Sequence, residues 1–356
     1  MKHPVNPLAK AAALLITALA GLAGPGPAVA APFTLWVTET PAGGTVPFSS
    51  QFKGGVRSYT FDGLGYGAAN YAVGALIPAA SLNDASDVEV AADGSLLVAN
   101  RGFNSGPGSV SQVTFTAGVP NAPTVLLGNI DTGPHQLAIT STGDVVVSSI
   151  SSGGKLYPSA TTPSTISFAS GTQRGGVAYG NLLYTTDGGG SVSTFNLATG
   201  ASAGASLGLA GASLLHYGTE ANADLWFADI GGASTGAGGG VYRVILDVTG
   251  LPVSAAKVAN VDGAISVTFS PTGDEMFVAS HFSGLITGFA VGPGYAVAAA
   301  PNLVIDGGTL ASWGGAHVTF GGMDINATQA VPEPASYALM LGGLGLFGFM
   351  ARRRRV

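Results

Sequence analysis

The chain has 356 residues, of which 46% are hydrophobic and only 9% charged, with 56 glycines and no cysteine. That hydrophobic fraction excludes a disordered chain. The absence of thiols excludes disulfides, thiolate metal sites and cysteine nucleophiles, and the glycines point to many tight turns between buried strands. All 19 acidic residues but only 7 of the 13 basic ones lie between Ala31 and Pro334, giving that stretch a formal charge of −12, with no basic patch to attract nucleic acid.

At the N-terminus, Lys2, His3 and Lys10 flank the apolar run AAALLITALAGLAG, and Ala28 and Ala30 place small residues where a signal peptidase cuts. Residues 1–30 are predicted to be a signal peptide removed after Ala30. Fourteen largely apolar residues containing two glycines are short for a permanent membrane span.

From Ala31 onward the elements are strands. FTLWVTET from Phe33 and GGVRSYTFDG from Gly54 come first. A fuller pattern then recurs five times: apolar strand, tight polar turn, second strand, glycine-rich loop, third strand. The copies begin at Asp87 (DVEVAADGSLLVAN…), His135 (HQLAITSTGDVVVSS…), Gly175 (GGVAYGNLLYTTDGG…), Leu214 (LLHYGTEANADLWFAD…) and Ile265 (ISVTFSPTGDEMFVAS…). They are enriched in Val, Ile, Phe, Tyr and Thr, and Asp93-Gly94, Gly143-Asp144 and Gly273-Asp274 mark the turns. No long segment between the termini has helical apolar spacing.

A period of roughly 40 to 50 residues and this content predict an all-β, six-bladed β-propeller over 31–320, with seven blades the alternative. The ends complement each other. AHVTFGG from Ala316 reads as an innermost strand without a blade, and the strands from Phe33 and Gly54 read as second and third strands without an innermost one. Pairing the two ends closes the ring and removes its exposed edges. On GPHQLAI, DGSLLVAN and SPTGDEMFVAS the body resembles the loosely patterned propellers of the NHL and lactonase-like groups.

In such a ring, loops leaving second strands and entering innermost strands share one face. That rule places Glu39, Asn100, Ser149, Thr186, Asp229 and Ser280 there, with Arg101, Asp187 and His281 next in line and His135 and His317 at innermost-strand entries. Glu39, Asn100, His135, Asp229 and His281 are the candidate binding set at the channel mouth, with oxygen and imidazole groups suited to Ca²⁺ or to acid–base chemistry. The same positions also suit strand ends, where polar groups solvate the last backbone atoms. Asp93, Asp144 and Asp274 read as turn formers, and His216 as a core or channel histidine. GGASTGAGGG, from Gly231, runs between strands and lacks the helix N-terminus of a phosphate cradle.

Residues 321–331 are expected to be a linker; they include the sequon Asn326-Ala327-Thr328. Residues 332–356 differ from everything before them. Pro332-Glu333-Pro334 is followed by an uncharged stretch, Ala335 to Met350, that would reach about 24 Å as a helix, and then by Arg352, Arg353, Arg354 and Arg355, which resist crossing a membrane. This ordered tail resembles the PEP-CTERM sorting signal. The resemblance implies a Gram-negative bacterium, a transmembrane sorting helix held transiently in the inner membrane, and processing near the triplet by an exosortase. It also implies a destination at the cell surface or in the extracellular matrix, where exopolysaccharide or matrix proteins are the expected partners. No catalytic residue is singled out. An exported metal-dependent hydrolase or lyase of the lactonase-like kind, working at the channel mouth, is the alternative.

Overall fold

The computed structural model describes residues 31–42, 55–77, 82, 84–102, 107–130, 133–150, 152–158, 166–168, 172–232, 237–306 and 317–327. Among them the regular structure is almost entirely β. Blade one holds β1 (Phe33–Ala42), β2 (Gly55–Phe61) and β3 (Tyr71–Ile77). Blade two holds β4 (Ala85–Val90), β5 (Leu96–Asn100), β6 (Gly108–Val113) and β9 (Thr124–Ile130), with a small hairpin of β7 (Phe115–Thr116) and β8 (Val119–Pro120) inserted before the last strand. Blade three is β10 (Pro134–Ile139), β11 (Val145–Ser149), β12 (Gly153–Tyr157) and β13 (Ser167–Phe168), and blade four is β14 (Gly175–Tyr179), β15 (Leu182–Thr186), β16 (Ser191–Asn196) and β17 (Leu207–Gly208). Blade five is β18 (Leu215–Ala221), β19 (Asp224–Asp229), β20 (Gly240–Leu246) and β21 (Pro252–Asn260). Blade six is β22 (Ala264–Phe269), β23 (Glu275–Ser280) and β24 (Leu285–Gly292), with β25 (Ala296–Val297) and β26 (Leu303–Asp306) sharing the outer edge of β24. The last strand, β27 (His317–Ala327), returns to blade one and pairs with β1.

The ring is therefore six-bladed and closed by strands from its two ends, as the sequence predicts. Leu35 pairs with Ile325 and Val37 with Met323, and a bulge shifts the register before Glu39 meets Phe320. The innermost strands β4, β10, β14, β18, β22 and β27 contact one another in that order, and β27 returns to β4. One difference from the sequence reading lies at the end of the ring. β27 runs on to Ala327, so residues 321–327, expected in the linker, are strand, because past the bulge Met323 to Ala327 resume the antiparallel pairing with β1 as far as Ala327 opposite Phe33. The signal peptide with Ala28 and Ala30, the triplet Pro332, Glu333 and Pro334, the stretch Ala335–Met350 and the cluster Arg352, Arg353, Arg354 and Arg355 lie outside the described residues.

A hydrophobic cluster sits at each of the six junctions between blades, because alternate residues of a strand face opposite neighbours. At the closing junction, Phe33 and Phe61 of blade one stack at 4.7 Å and Phe277 of blade six packs 5.3 Å from Phe61. The turns explain the recurring aspartates. Gly94, Gly143 and Gly273 adopt φ of 80°, 83° and 71°, and their N–H groups bond back to the carbonyls of Ala91, Thr140 and Ser270. Asp93 accepts from the Ser95 amide and hydroxyl, and Asp274 accepts from the Ser270 hydroxyl, so these carboxylates hold turns. The outermost strands were not singled out from sequence. β13 and β17 are only two residues long, with no alternation to read.

Candidate functional site

The innermost strands present a sheet edge to the channel, and their side chains satisfy it. The Ser86 hydroxyl donates to the Pro134 carbonyl, Asp87 accepts from the Leu137 amide, and the Ser266 hydroxyl accepts from the Met323 amide. Gln136 links three blades: its Oε1 accepts from Gly176 at 2.7 Å, and its Nε2 donates to the Gly218 carbonyl at 2.9 Å. These bonds hold neighbouring blades in register around the channel.

Second strands end and innermost strands begin on one face, called the upper face: Ala85 pairs with Asn100, Gly175 with Thr186, Leu215 with Asp229 and Ala264 with Ser280. At its mouth His135, on β10, and His216, on β18, lie with ring centroids 5.3 Å apart, and the His135 ring stacks on Tyr217 at 4.8 Å. Arg174, immediately before β14, stands between them. The His135 Nδ1–H donates to the Arg174 carbonyl at 2.9 Å, and Arg174 Nη1 donates to His216 Nε2 at 3.3 Å. Close approach requires Gly175, where a Cβ would sit 2.3 Å from the His216 carbonyl oxygen.

Burial pushes both imidazoles well below their usual range, and the Arg101 and Arg174 guanidinium groups and His281 add like-charge repulsion. Both histidines are therefore neutral hydrogen-bonding groups at neutral pH. The Tyr217 hydroxyl is raised, chiefly by burial. Arg101 is balanced by Asp84 at 2.9 Å.

The remaining members of the expected set each have partners of their own. Glu39 is fully buried and accepts from Arg57 Nε and, at 3.2 Å, from the Tyr59 hydroxyl of the same blade. Asn100 donates to the hydroxyls of Ser109 and Ser111 at 3.2 and 3.0 Å. Asp229 accepts from the amides of Leu214, Ser213 and Gly231 and so caps the entry to β18. His281 follows β23, its amide bonded to the Gly263 carbonyl and its ring 5.2 Å from that of Phe282. Asp187 holds its own loop through Gly189 and Ser191, Thr186 donates to the Leu215 carbonyl, and Ser280 donates to the Asp262 carbonyl. Among the described residues no group of three or more His, Asp or Glu side chains is placed to hold a metal ion.

Of the candidate set, His135 bonds to Arg174, which in turn bonds to His216, and His281 is near enough to lower both imidazoles. Arg174 and His216 could have been found from the rule that gave His135, since each sits where an innermost strand begins. Deeper in the channel, Asp87 and Glu89 on β4 face Asp324 on β27. Burial raises Asp324 to about 6 and Asp87 and Glu89 well above the usual carboxyl range, and Glu89 and Asp324 are hydrogen-bonded to one another, so this group retains a proton where free carboxylates have lost theirs. Asp324 also borders a cleft of about 340 Å³, with Glu220, Phe269, Thr272 and Tyr295.

Comparison with solved structures agrees on the class of fold. A chain of a nidogen/laminin complex superposes with TM-score 0.57 at 10% identity, covering 82% of this chain and 98% of its own. A protein from Lactobacillus plantarum gives 0.51 at 11%, covering 81% and 99%, and a candidate 6-phosphogluconolactonase from Bacteroides uniformis ATCC 8492 gives 0.48 at 16%, covering 78% and 83%. For the first two, at these identities, the likeness is of fold alone. No curated protein matches the chain by sequence. The chain is a six-bladed β-propeller. Its residues 330–355 match the PEP-CTERM protein-sorting motif, which marks it for export, exosortase processing and a cell-surface or extracellular destination.

Proposed function

We propose that the chain is a surface or extracellular-matrix protein of a Gram-negative bacterium whose propeller binds polysaccharide or protein at its upper mouth. In this scheme signal peptidase removes residues 1–30, the stretch Ala335–Met350 holds the chain in the inner membrane with Arg352–Arg355 as the cytoplasmic stop, and exosortase then cuts near Pro332-Glu333-Pro334. The observation that carries it is the pairing of a sorting motif with a mouth where His135, Arg174 and His216 converge. Such a mouth offers directional hydrogen bonds for recognition.

Two measurements test it. The surface-released protein is expected to have lost the tail, so an intact mass that still includes the four arginines rejects the processing step. The full chain immobilised in detergent is expected to retain the producer's own exopolysaccharide or matrix protein in a pull-down, and retention of neither rejects the binding role.

A further inference from the structure

We infer that the upper channel mouth takes the carboxylate of an acidic saccharide unit on Arg174 and His216, with His135 accepting from a neighbouring sugar hydroxyl. This deepens the binding role proposed above and rests on it.

The first observation is a pair of buried donors with no acceptor. His216 is 3% exposed, and because its Nε2 accepts from Arg174 its ring proton resides on Nδ1, which has no protein partner among the described residues. Arg174 Nε is likewise buried and unpartnered. Buried polar groups in folded proteins almost always find partners, so two orphans on a bonded pair of side chains mark where a ligand acceptor fits.

The second is charge. Among the described residues there are four arginines, and three of them face carboxylates: Arg57 faces Glu39, Arg101 faces Asp84 and Arg243 faces Asp224. Arg174 has no carboxylate partner among the described residues, although it belongs to a stretch with 19 acidic groups. Its Nη1 is committed to His216, which leaves the edge formed by Nε and Nη2 for the two oxygens of a carboxylate.

The chemistry then selects the ligand. Because both histidines are neutral and Arg101 is balanced by Asp84, Arg174 is the arginine of the mouth with no facing carboxylate among the described residues, and one guanidinium matches a monoanion better than a phosphate dianion. His135 donates through Nδ1, so its Nε2 carries a lone pair suited to a hydroxyl donor. A carboxylate with hydroxyls on adjacent carbons is the pattern of a uronic acid. The net charge of −12 on Ala31–Pro334 disfavours a long polyanion lying across the protein, so the unit bound is a chain end or an isolated acidic residue of a largely neutral polymer.

Titration of the full chain in detergent with D-glucuronate, its methyl ester and D-glucose tests the inference. Glucuronate is expected to bind at least about tenfold more tightly than either neutral sugar, and Arg174→Gln is expected to remove that preference while keeping the native melting transition. If the variant does not fold, side-chain ¹⁵N spectra of the unmodified protein decide: glucuronate should shift the His216 Nδ1 resonance and glucose should not. Equal binding of the acid and its ester, or an unmoved His216 resonance at saturation, overturns the inference. Retention of exopolysaccharide unaffected by Arg174→Gln overturns this site but leaves the binding role standing, whereas failure to retain any polymer or sugar overturns both.

Discussion

Val37, near the start of the described chain, pairs with Met323, near its end, and this pairing makes blade one out of two distant segments. The ring therefore depends on the faces blade one presents to blades two and six. Phe61 is fully buried against Phe33 and Phe277 at the junction with blade six.

Phe61→Ala is expected to lower the unfolding free energy by about 3–5 kcal/mol, since a large buried ring is lost from a junction on which closure depends. Chemical denaturation measures this. A loss below about 1 kcal/mol would mean that the junction collapses freely and closure is not under load.

Gly175→Ala is expected to cost about 1–3 kcal/mol, because the added Cβ meets the His216 carbonyl at 2.3 Å and separates β14 from β18. Gly208→Ala meets nothing within 4 Å and should stay within about 0.5 kcal/mol of the parent. Thermal melts of the two variants side by side make the comparison, and equal melting temperatures would contradict it.

Arg57 neutralises Glu39, and the two side chains are 5% and 0% exposed. Arg57→Met strands a buried carboxylate and is expected to cost about 3–5 kcal/mol. The double variant Glu39→Gln, Arg57→Met should recover part of that loss. A double variant less stable than Arg57→Met alone would show that the carboxylate is tolerated without its partner.

The buried ionisable groups give pH effects of opposite sign. Asp324 has its folded pKa raised from 3.8 to about 6, so its stabilising contribution is complete below about 4 and is lost as pH rises through about 6. Asp324→Asn, which cannot ionise, should therefore gain stability relative to the parent between pH 4 and 7. His216 has its folded pKa pushed well below 6.5, so the parent loses stability as pH falls below 6.5, and His216→Gln should gain relative to it in that direction. Melting curves across pH 4 to 8 read both slopes, and parallel curves for parent and variant would remove the corresponding group from the account.

Much of the fold was legible because its cause is local. Asp93-Gly94 and Gly273-Asp274 announce tight turns through a positive φ and a side-chain bond to the turn itself, and the alternating Val, Leu and Phe around them announce strands buried on both faces. The extra residues of β27 were not legible. GGMDINA reads as a polar linker, and only the facing residues of β1 make it a strand.

The candidate site divides along the same line. Glu39, Asn100 and Asp229 carry the residue types of a metal site, yet each is engaged by atoms close in sequence or within its own blade. Their position on the upper face follows from strand order, but the direction and bonding of a side chain do not. Arg174 was passed over, and His216 was read as a core or channel histidine and not as a binding residue, because 42 residues separate them and neither belongs to a local motif.

By itself, the sequence determined the repeat, the turns, the complementary ends, the acidic surface and the sorting tail, because each rests on neighbouring residues or on composition. Tertiary structure alone decided which polar groups meet at the channel mouth. That outcome depends on six blades bringing the starts of their innermost strands together, and on Gly175 letting Arg174 and His216 approach within hydrogen-bonding distance.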